Sequence, residues 1–485
     1  MKESKIVDYR KYVNFKNILC VFIIICPLLD VISFLFRNTF FTVISPSTII
    51  RPILPILIIL FLFFKRPAKF RIKIFVVGLI YAIYGLIHLM IFNNTKMGIA
   101  YGGLYQEAQF VINYSFMILN LFIYTYIFHN GSTNKLKKSV IVSVSLYITL
   151  IYLSIITNTS TNTYLEGIGY KGWFETGTSI GAILILSLFV ILPQLKEKSL
   201  RKILIPLVCL MGIFLTTLLG TRVGLYGFVL VIFMYVFVEI FVGLLNKNKI
   251  NKKIVIGGMV FLLVLVIVIG FVGSSTLERR KHLKDIESDI IDENTKIESH
   301  VSKSILEIKQ EIEDQTLEEG YISSAQEQSI MDLYNKANDL KLVNNDLRMQ
   351  QLIFNTYLFR NQGSPVLVIF GNGYQANFRE LILEMEIPAF LFNFGIIGLL
   401  IYFVPFLSIC IYGIYIGIRN IKIITSEYIM SLIGSGFVFV LSLLSGYTFF
   451  NSSTMMIVIV IYTILINNIL KTIKLKNIAL KNTER

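Results

Sequence analysis

ILIPLVCLMGIFLTTLLGTRVGLYGFVLVIFMYVFVEIFVGLL, residues 203 to 245, decides the fold. It holds two apolar runs, 203 to 219 and 223 to 245, separated by a turn so short that Arg222 must sit at its edge. A span of about 20 mostly apolar residues crosses roughly 30 Å of hydrocarbon, so each run reads as a transmembrane helix. The rest of the chain repeats the pattern. With 55% hydrophobic and 15% charged residues and a mean hydropathy of +0.70, the chain does not divide into a water-soluble core and a solvated surface, and a bilayer must supply the solvent. Working outward from the quoted pair, further spans fall at 17 to 36, 49 to 64, 74 to 92, 108 to 128, 139 to 157, 178 to 194, 254 to 273, 389 to 418, 427 to 446 and 453 to 470. The expected fold is an all-α, polytopic integral membrane protein of about 12 transmembrane helices.

Lys and Arg alternate between the two faces of these spans. One face collects 28 of them, from Lys2, Lys5, Arg10, Lys11 and Lys16 through the loops near residues 65–73, 135–138, 196–202, 247–253 and 419–422 to the tail ending at Arg485. The short loops of the other face hold only Arg37, Arg51, Lys96, Lys171 and Arg222. Short cytoplasmic loops retain positive charge, so both termini are expected in the cytoplasm, in a cell membrane. The formal charge of +15 is then a topology signal, and no nucleic-acid partner is needed to explain it. The apolar N-terminal stretch has no small-residue cleavage site and reads as a retained signal anchor. Cys20, Cys26, Cys209 and Cys410 all fall within spans without metal-site spacing, so neither disulfide nor metal is expected. No cytoplasmic loop is long enough for a nucleotide-binding domain and no P-loop occurs, which argues against ATP-driven transport.

Three sections follow from this reading: spans one to nine over 1–273, an extracytoplasmic loop over 274–388, and spans ten to twelve with a cytoplasmic tail over 389–485. Within the loop, residues 276–348 carry 17 acidic and 10 basic residues, with Leu283, Ile286, Ile290, Ile297, Val301, Ile305, Ile308 and Ile312 at helical spacing. That predicts one amphipathic helix and a second after Gly320, together a solvated helical hairpin with no chemistry of its own. The stretch 349–388 loses charge and gains Gly and aromatics, which suits a segment packed on the membrane surface. Glu384 and Glu386 stand at its end, where acids at the bilayer lip are costly unless used or paired.

Arg51, Arg222 and Arg348 face the same compartment as those acids. A guanidinium held at the membrane boundary either anchors to headgroups or recognises a lipid-linked phosphate through its planar fork of donors.

GTRVGLYGFVL at 220–230, a large loop, FGNGY at 370–374 and FNFGIIGLL at 392–400 together resemble the O-antigen ligase and polymerase family of membrane glycosyltransferases, and within it the Gram-positive branch. CPLLD with Asp30, SPSTIIR ending in Arg51, Glu107, and TYLEGIGYKGWFETGTSIGAILILSLFVILP at 163–193 agree with it. That branch is similar in having an acid-Met-acid pattern, here Glu384-Met385-Glu386, where many members carry His-Asn. The resemblance implies transfer of a glycan from a polyprenyl-diphosphate-linked oligosaccharide to an acceptor glycan or lipid on the outer face, without metal or cofactor, in the company of other polysaccharide-export components.

The residues fit that chemistry in their own terms. Arg222, Arg51 and Arg348 are the candidate diphosphate ligands, stabilising charge as the sugar leaves. Glu386 or Glu384 is the candidate base for the acceptor hydroxyl, and Lys171, Trp173 and Glu175 are candidate glycan contacts. The competing reading is a flippase or transporter of lipid-linked oligosaccharide. That would place cations mid-membrane between repeated halves, and no internal repeat occurs here.

Overall fold

The computed structural model describes residues 12–40, 46–65, 68–95, 103–129, 132–164, 167–245, 252–282, 301, 303–340, 342, 347–374 and 381–483. Apolar runs become helices because each backbone amide and carbonyl must find its partner within the segment when no water is at hand. They are α1 (Tyr12–Phe40), α2 (Pro46–Lys65), α3 (Ala68–Asn94), α4 (Leu104–Phe128), α5 (Asn134–Ile156), α6 (Gly177–Ile191), α7 (Lys198–Ile213), α8 (Arg222–Leu245) and α9 (Lys252–Val272). After a short α10 (Ser275–His282) come α11 (Lys303–Glu313), α12 (Ser324–Asp339), α13 (Leu347–Asn361), α14 (Pro365–Phe370), α15 (Glu386–Arg419), α16 (Ser426–Leu444) and α17 (Ser452–Thr483). Among the described residues ten helices are long and apolar enough to cross a membrane, and the α9–α10 pair, bent by 45°, makes an eleventh if taken as one span. The all-α polytopic fold therefore holds, at ten or eleven spans by this measure. The remaining expected span, 49 to 64, is the 20-residue helix α2.

The connections divide into two sets. One end of the bundle, the loop end, carries everything between α9 and α15. The opposite end carries the lysine-rich turns. At the loop end the α5–α6 connection folds into a small antiparallel hairpin, β1 (Thr161–Asn162) with β2 (Tyr170–Gly172). The α7–α8 turn begins with a wide π turn over Phe214–Leu218. Hydroxyls of Ser274 and Ser275 donate to the carbonyls of Thr216 (2.6 Å) and Thr217 (2.9 Å), supplying partners where the ladder is irregular. The Thr221 hydroxyl then accepts from the Gly224 amide at 3.1 Å and caps α8.

Helix α15 is broken. Gly395 has φ 69° and ψ −175°, so the expected span beginning at 389 is a short piece followed by a long one. The carbonyls at the break are all taken: Phe392 and Asn393 accept from the amides of Asn372 (2.8 Å) and Gly373 (2.9 Å), and Phe394 from the Tyr84 hydroxyl at 2.7 Å. The approach is close enough that a Cβ on Gly371 would lie 2.2 Å from the Asn393 oxygen. FGNGY and FNFG are thus the two halves of one backbone clasp.

In the charged segment, helix α12 begins after Gly320 as expected, with Ser323 and Gln326 forming a reciprocal capping box. Residues 283–300, with Leu283, Ile286, Ile290 and Ile297 of the first expected helix, lie outside the described residues. Val301, Ile305, Ile330, Leu333, Phe354, Leu358 and Leu381 close a small core against Phe92 of α3. The hairpin is therefore seated on α13, which carries Arg348, and on the bundle itself.

Candidate functional site

At the loop end, between α1, α2, α4, α6 and the first turn of α17, lies a cavity of about 230 Å³. Its wall mixes polar and apolar side chains, and two arginines and two acids line it. Arg51, in the first turns of α2, donates to Asp30 of α1 at 2.6 Å and to the Ser452 hydroxyl. Asp30 also accepts from the Tyr147 hydroxyl (2.6 Å) and from Ser453 (2.7 Å). Arg51 and Asp30 are only 10% and 18% exposed. A buried ion pair persists only where further hydrogen bonds offset its desolvation, and Tyr147, Ser452 and Ser453 provide them. One charged knot therefore ties α1, α2, α5 and α17 together.

A second pair stands at the more open part of the wall. Arg37 contacts Glu175 at 2.9 Å, with 38% and 42% of the two side chains exposed. Burial raises the Glu175 carboxyl above its ordinary pKa, and Arg37 partly counters the rise. Burial likewise lowers the neighbouring Lys171 ammonium, opposed by Glu175. The Nε donors of both Arg37 and Arg51 are buried without a hydrogen-bond partner among the described residues. Asn113 and Asn120, two helical turns apart on α4, add amides to the same wall.

The segment joining α16 to α17 borders this cavity and is fastened along its length by residues expected from the sequence. Arg348 bridges the Glu384 carboxylate (3.1 Å) and the carbonyls of Leu444 (2.5 Å) and Ser445 (3.4 Å), closing the C-terminal end of α16. Glu386 is fully buried. Its Oε1 accepts from three successive amides, Thr448 (2.6 Å), Phe449 (2.8 Å) and Phe450 (2.7 Å), a backbone nest closed on a carboxylate. Gly446 has φ +71°, and a Cβ there would sit 1.9 Å from the Glu384 carbonyl oxygen. Farther along, Ser452 and Ser453 meet Arg51 and Asp30. Arg348, Glu384, Glu386 and Arg51 thus converge on one ten-residue neighbourhood.

Arg222 does not join them. It is exposed at the start of α8, makes no hydrogen bond or ion pair among the described residues, and is absent from the cavity wall. Helix α6 intervenes: Gly181 packs against Leu219 and Thr221 of the Arg222 turn, whereas Ser179, Ile180 and Ile183 line the cavity. Of the three candidate glycan contacts only Glu175 lines the cavity. Lys171 is on β2, and the Trp173 indole donates to Thr159 at 3.0 Å while half-buried against the bundle.

A further cluster lies beneath the clasp. His88 and Glu107, 0% and 1% exposed, meet at 2.7 Å. The other His88 nitrogen contacts the Phe370 carbonyl (2.7 Å), and the other Glu107 oxygen accepts from the Tyr374 amide (2.9 Å). This pair fixes both ends of FGNGY, and the Tyr374 hydroxyl in turn meets that of Tyr114, a cavity residue, at 2.8 Å. Among the described residues no three His, Cys, Asp or Glu side chains gather as a metal ion would require.

Sequence reasoning passed over Arg37, Asn113, Asn120, Tyr147, Ser452 and Ser453 as site residues. Asp30 carried a usable signal, an acid inside an apolar span, and so did the Asn113/Asn120 spacing. The serines carried none. No curated protein and no solved structure matches the chain. The family model for O-antigen ligase like membrane protein matches residues 13–472, nearly the whole length over which the cavity, the clasp and the fastened segment are built, and the chain belongs to that family.

Proposed function

We propose that this family member polymerises or ligates surface polysaccharide units, transferring a glycan from a polyprenyl-diphosphate-linked donor at the outer face of the cytoplasmic membrane. The observation that carries the reading is the loop-end cavity, whose wall holds Arg37 and Arg51 together with two carboxylates. A diphosphate gathers charge as its bond to the sugar breaks, and preplaced guanidiniums in a site of low dielectric stabilise that charge without reorganising. Arg51 and Arg37 are the ligands this geometry favours. Arg348 holds the segment that forms the cavity's edge, and Arg222, exposed at the same end, is assigned to the donor's approach along the membrane surface.

In the reaction the acceptor hydroxyl oxygen bonds to the anomeric carbon. The bond from that carbon to the diphosphate oxygen breaks, its electron pair stays with the polyprenyl diphosphate, and the hydroxyl proton passes to a carboxylate. Glu175 suits that last role best, because it faces the cavity and its burial raises its affinity for a proton. Glu384, paired with Arg348 much as Glu175 is with Arg37 but outside the cavity wall, is the next choice. Glu386, saturated on Oε1 by three amides, is assigned to holding the α16–α17 segment.

The test is to give the purified protein a polyprenyl-diphosphate oligosaccharide and follow the glycan. A ladder indicates a polymerase and a single transferred unit a ligase. Movement of the donor across the bilayer with no new glycosidic bond overturns the enzyme reading in favour of a flippase. Glu175→Gln should keep donor binding and lose about 10²- to 10⁴-fold in transfer. Wild-type turnover in that variant removes Glu175 as the base.

A further inference from the structure

Between α16 and α17, Gly446 and Tyr447 are both left-handed, with φ +71° and +60°. The segment needs that turn, because it aims the amides of Thr448, Phe449 and Phe450 at the Glu386 carboxylate. It does not need a tyrosine there. Glycine and asparagine take this conformation cheaply, whereas a bulky side chain is strained in it. The other non-glycine residues with positive φ among the described residues are Asn158, of the tolerant kind, and Gln315, exposed in the turn after α11. Tyr447 is thus the one aromatic side chain held against its backbone preference, and strain kept beside a site points to a use for the side chain that bears it.

Packing does not account for the ring. Among the described residues Tyr447 belongs to no hydrophobic cluster, makes no ring contact and forms no side-chain hydrogen bond. Its neighbours are polar instead. Arg348 bonds the carbonyls of Leu444 and Ser445 just before it and pairs with Glu384, the two side chains being 44% and 41% exposed. Burial raises the Tyr447 phenol above its ordinary pKa, Glu384 adds to the rise and Arg348 opposes it, as charges close to the hydroxyl must. In the other direction Phe449 and Phe450, two and three residues on, line the transfer cavity, while Tyr447 itself does not. The half-buried ring therefore stands at the cavity's outer edge, beside charged groups open to solvent.

A sugar ring has an apolar face of C–H bonds and a rim of hydroxyls. An aromatic face with a carboxylate and a guanidinium alongside offers a partner to each. We propose that Tyr447, with Arg348 and Glu384 beside it, forms a saccharide subsite outside the cavity, where the phenol ring stacks on a sugar of the glycan chain extending from the transfer point. That the ligand is a glycan rests on the transferase reading above, whereas the place and strain of the ring do not.

The experiment keeps the full-length protein in nanodiscs and offers it an oligosaccharide freed from its polyprenyl diphosphate by mild acid, so that binding is read without transfer. Saturation-transfer NMR on the wild type should mark the C–H protons of the sugar. Tyr447→Phe keeps the ring and should hold the affinity within about twofold, whereas Tyr447→Asn should lose about tenfold. The asparagine variant should nevertheless unfold at the wild-type temperature or above it, since asparagine relieves the strain. A packing residue behaves the other way, so a lower unfolding temperature in Tyr447→Asn overturns the subsite. So does unchanged affinity in that variant, or a wild type that transfers no saturation to the sugar. Saturation transfer from a wild type that makes no glycosidic bond upholds the subsite and removes the transferase reading instead. Inhibition of wild-type transfer by the free oligosaccharide assigns the subsite to the donor's glycan if more lipid-linked donor relieves it, and to the acceptor's if it does not.

Discussion

The two ends of the helix bundle use different cations for different work. At the lysine-rich end the ion pairs among the described residues are Lys137–Glu427, joining α5 to α16, and Lys196–Glu239, joining the turn after α6 to α8. At the loop end, apart from Lys309–Glu313 within α11, the lysine and arginine pairs among the described residues are Arg37–Glu175, Arg51–Asp30 and Arg348–Glu384, which involve the connections or the helix ends next to them. Arg51 serves Asp30 and Ser452 together, and Arg348 serves Glu384 and the carbonyls of Leu444 and Ser445. A planar fork of donors satisfies several acceptors at once, whereas an ammonium behaves as a compact, strongly hydrated charge. Irregular backbone beside a membrane needs the former, because each unpaired polar group there is expensive. Orientation in a bilayer needs only the latter.

That contrast is most easily broken by exchanging the cations. Arg51→Lys keeps the charge and loses the fork, so glycan transfer should fall by about 10²-fold or more, while Lys196→Arg should stay within about twofold in the same assay with lipid-linked donor. Comparable losses in the two variants would mean that charge, and not donor geometry, governs the loop end.

A second measurement compares the acids. Glu386→Gln weakens three hydrogen bonds that are charge-assisted in the wild type, and the unfolding free energy in detergent should drop by about 2–3 kcal/mol. Glu384→Gln breaks only a partly exposed pair with Arg348 and should cost under about 1 kcal/mol. If Glu384→Gln destabilises as much as Glu386→Gln, the buried nest is not what holds the α16–α17 segment.

The smallest expected effect is a shift in pH dependence. Transfer should fall as pH drops through the raised pKa of Glu175, because the protonated carboxyl no longer accepts a proton. Arg37 lowers that pKa, so Arg37→Gln, beside the lower plateau rate expected from losing a diphosphate ligand, should move the acidic limb of the normalised profile to higher pH by up to about one unit. An unmoved limb would show that another group sets it.

Much of this molecule was legible in its residues, and what was legible was local. Span positions follow from runs of apolar residues, because each helix satisfies its backbone within itself. Helix α12 was announced by Gly320 and the residues after it, and the division of the cations between two faces could be counted directly. The family-like segments GTR, FGNGY and FNFG all fall at the loop end, where the candidate site lies. The sequence alone did not say that FGNGY and FNFG close on each other across a helix break, or that Glu386 points its carboxylate into the backbone of residues 448–450. Nor did it separate Arg51, which enters the cavity, from Arg222, which α6 keeps out of it. Hydropathy and periodicity depend on neighbours three or four positions away, whereas these arrangements join residues far apart in the chain, Asp30 to Ser453 among them. Which of several arginines on one face meets a given acid was decided only when the helices packed.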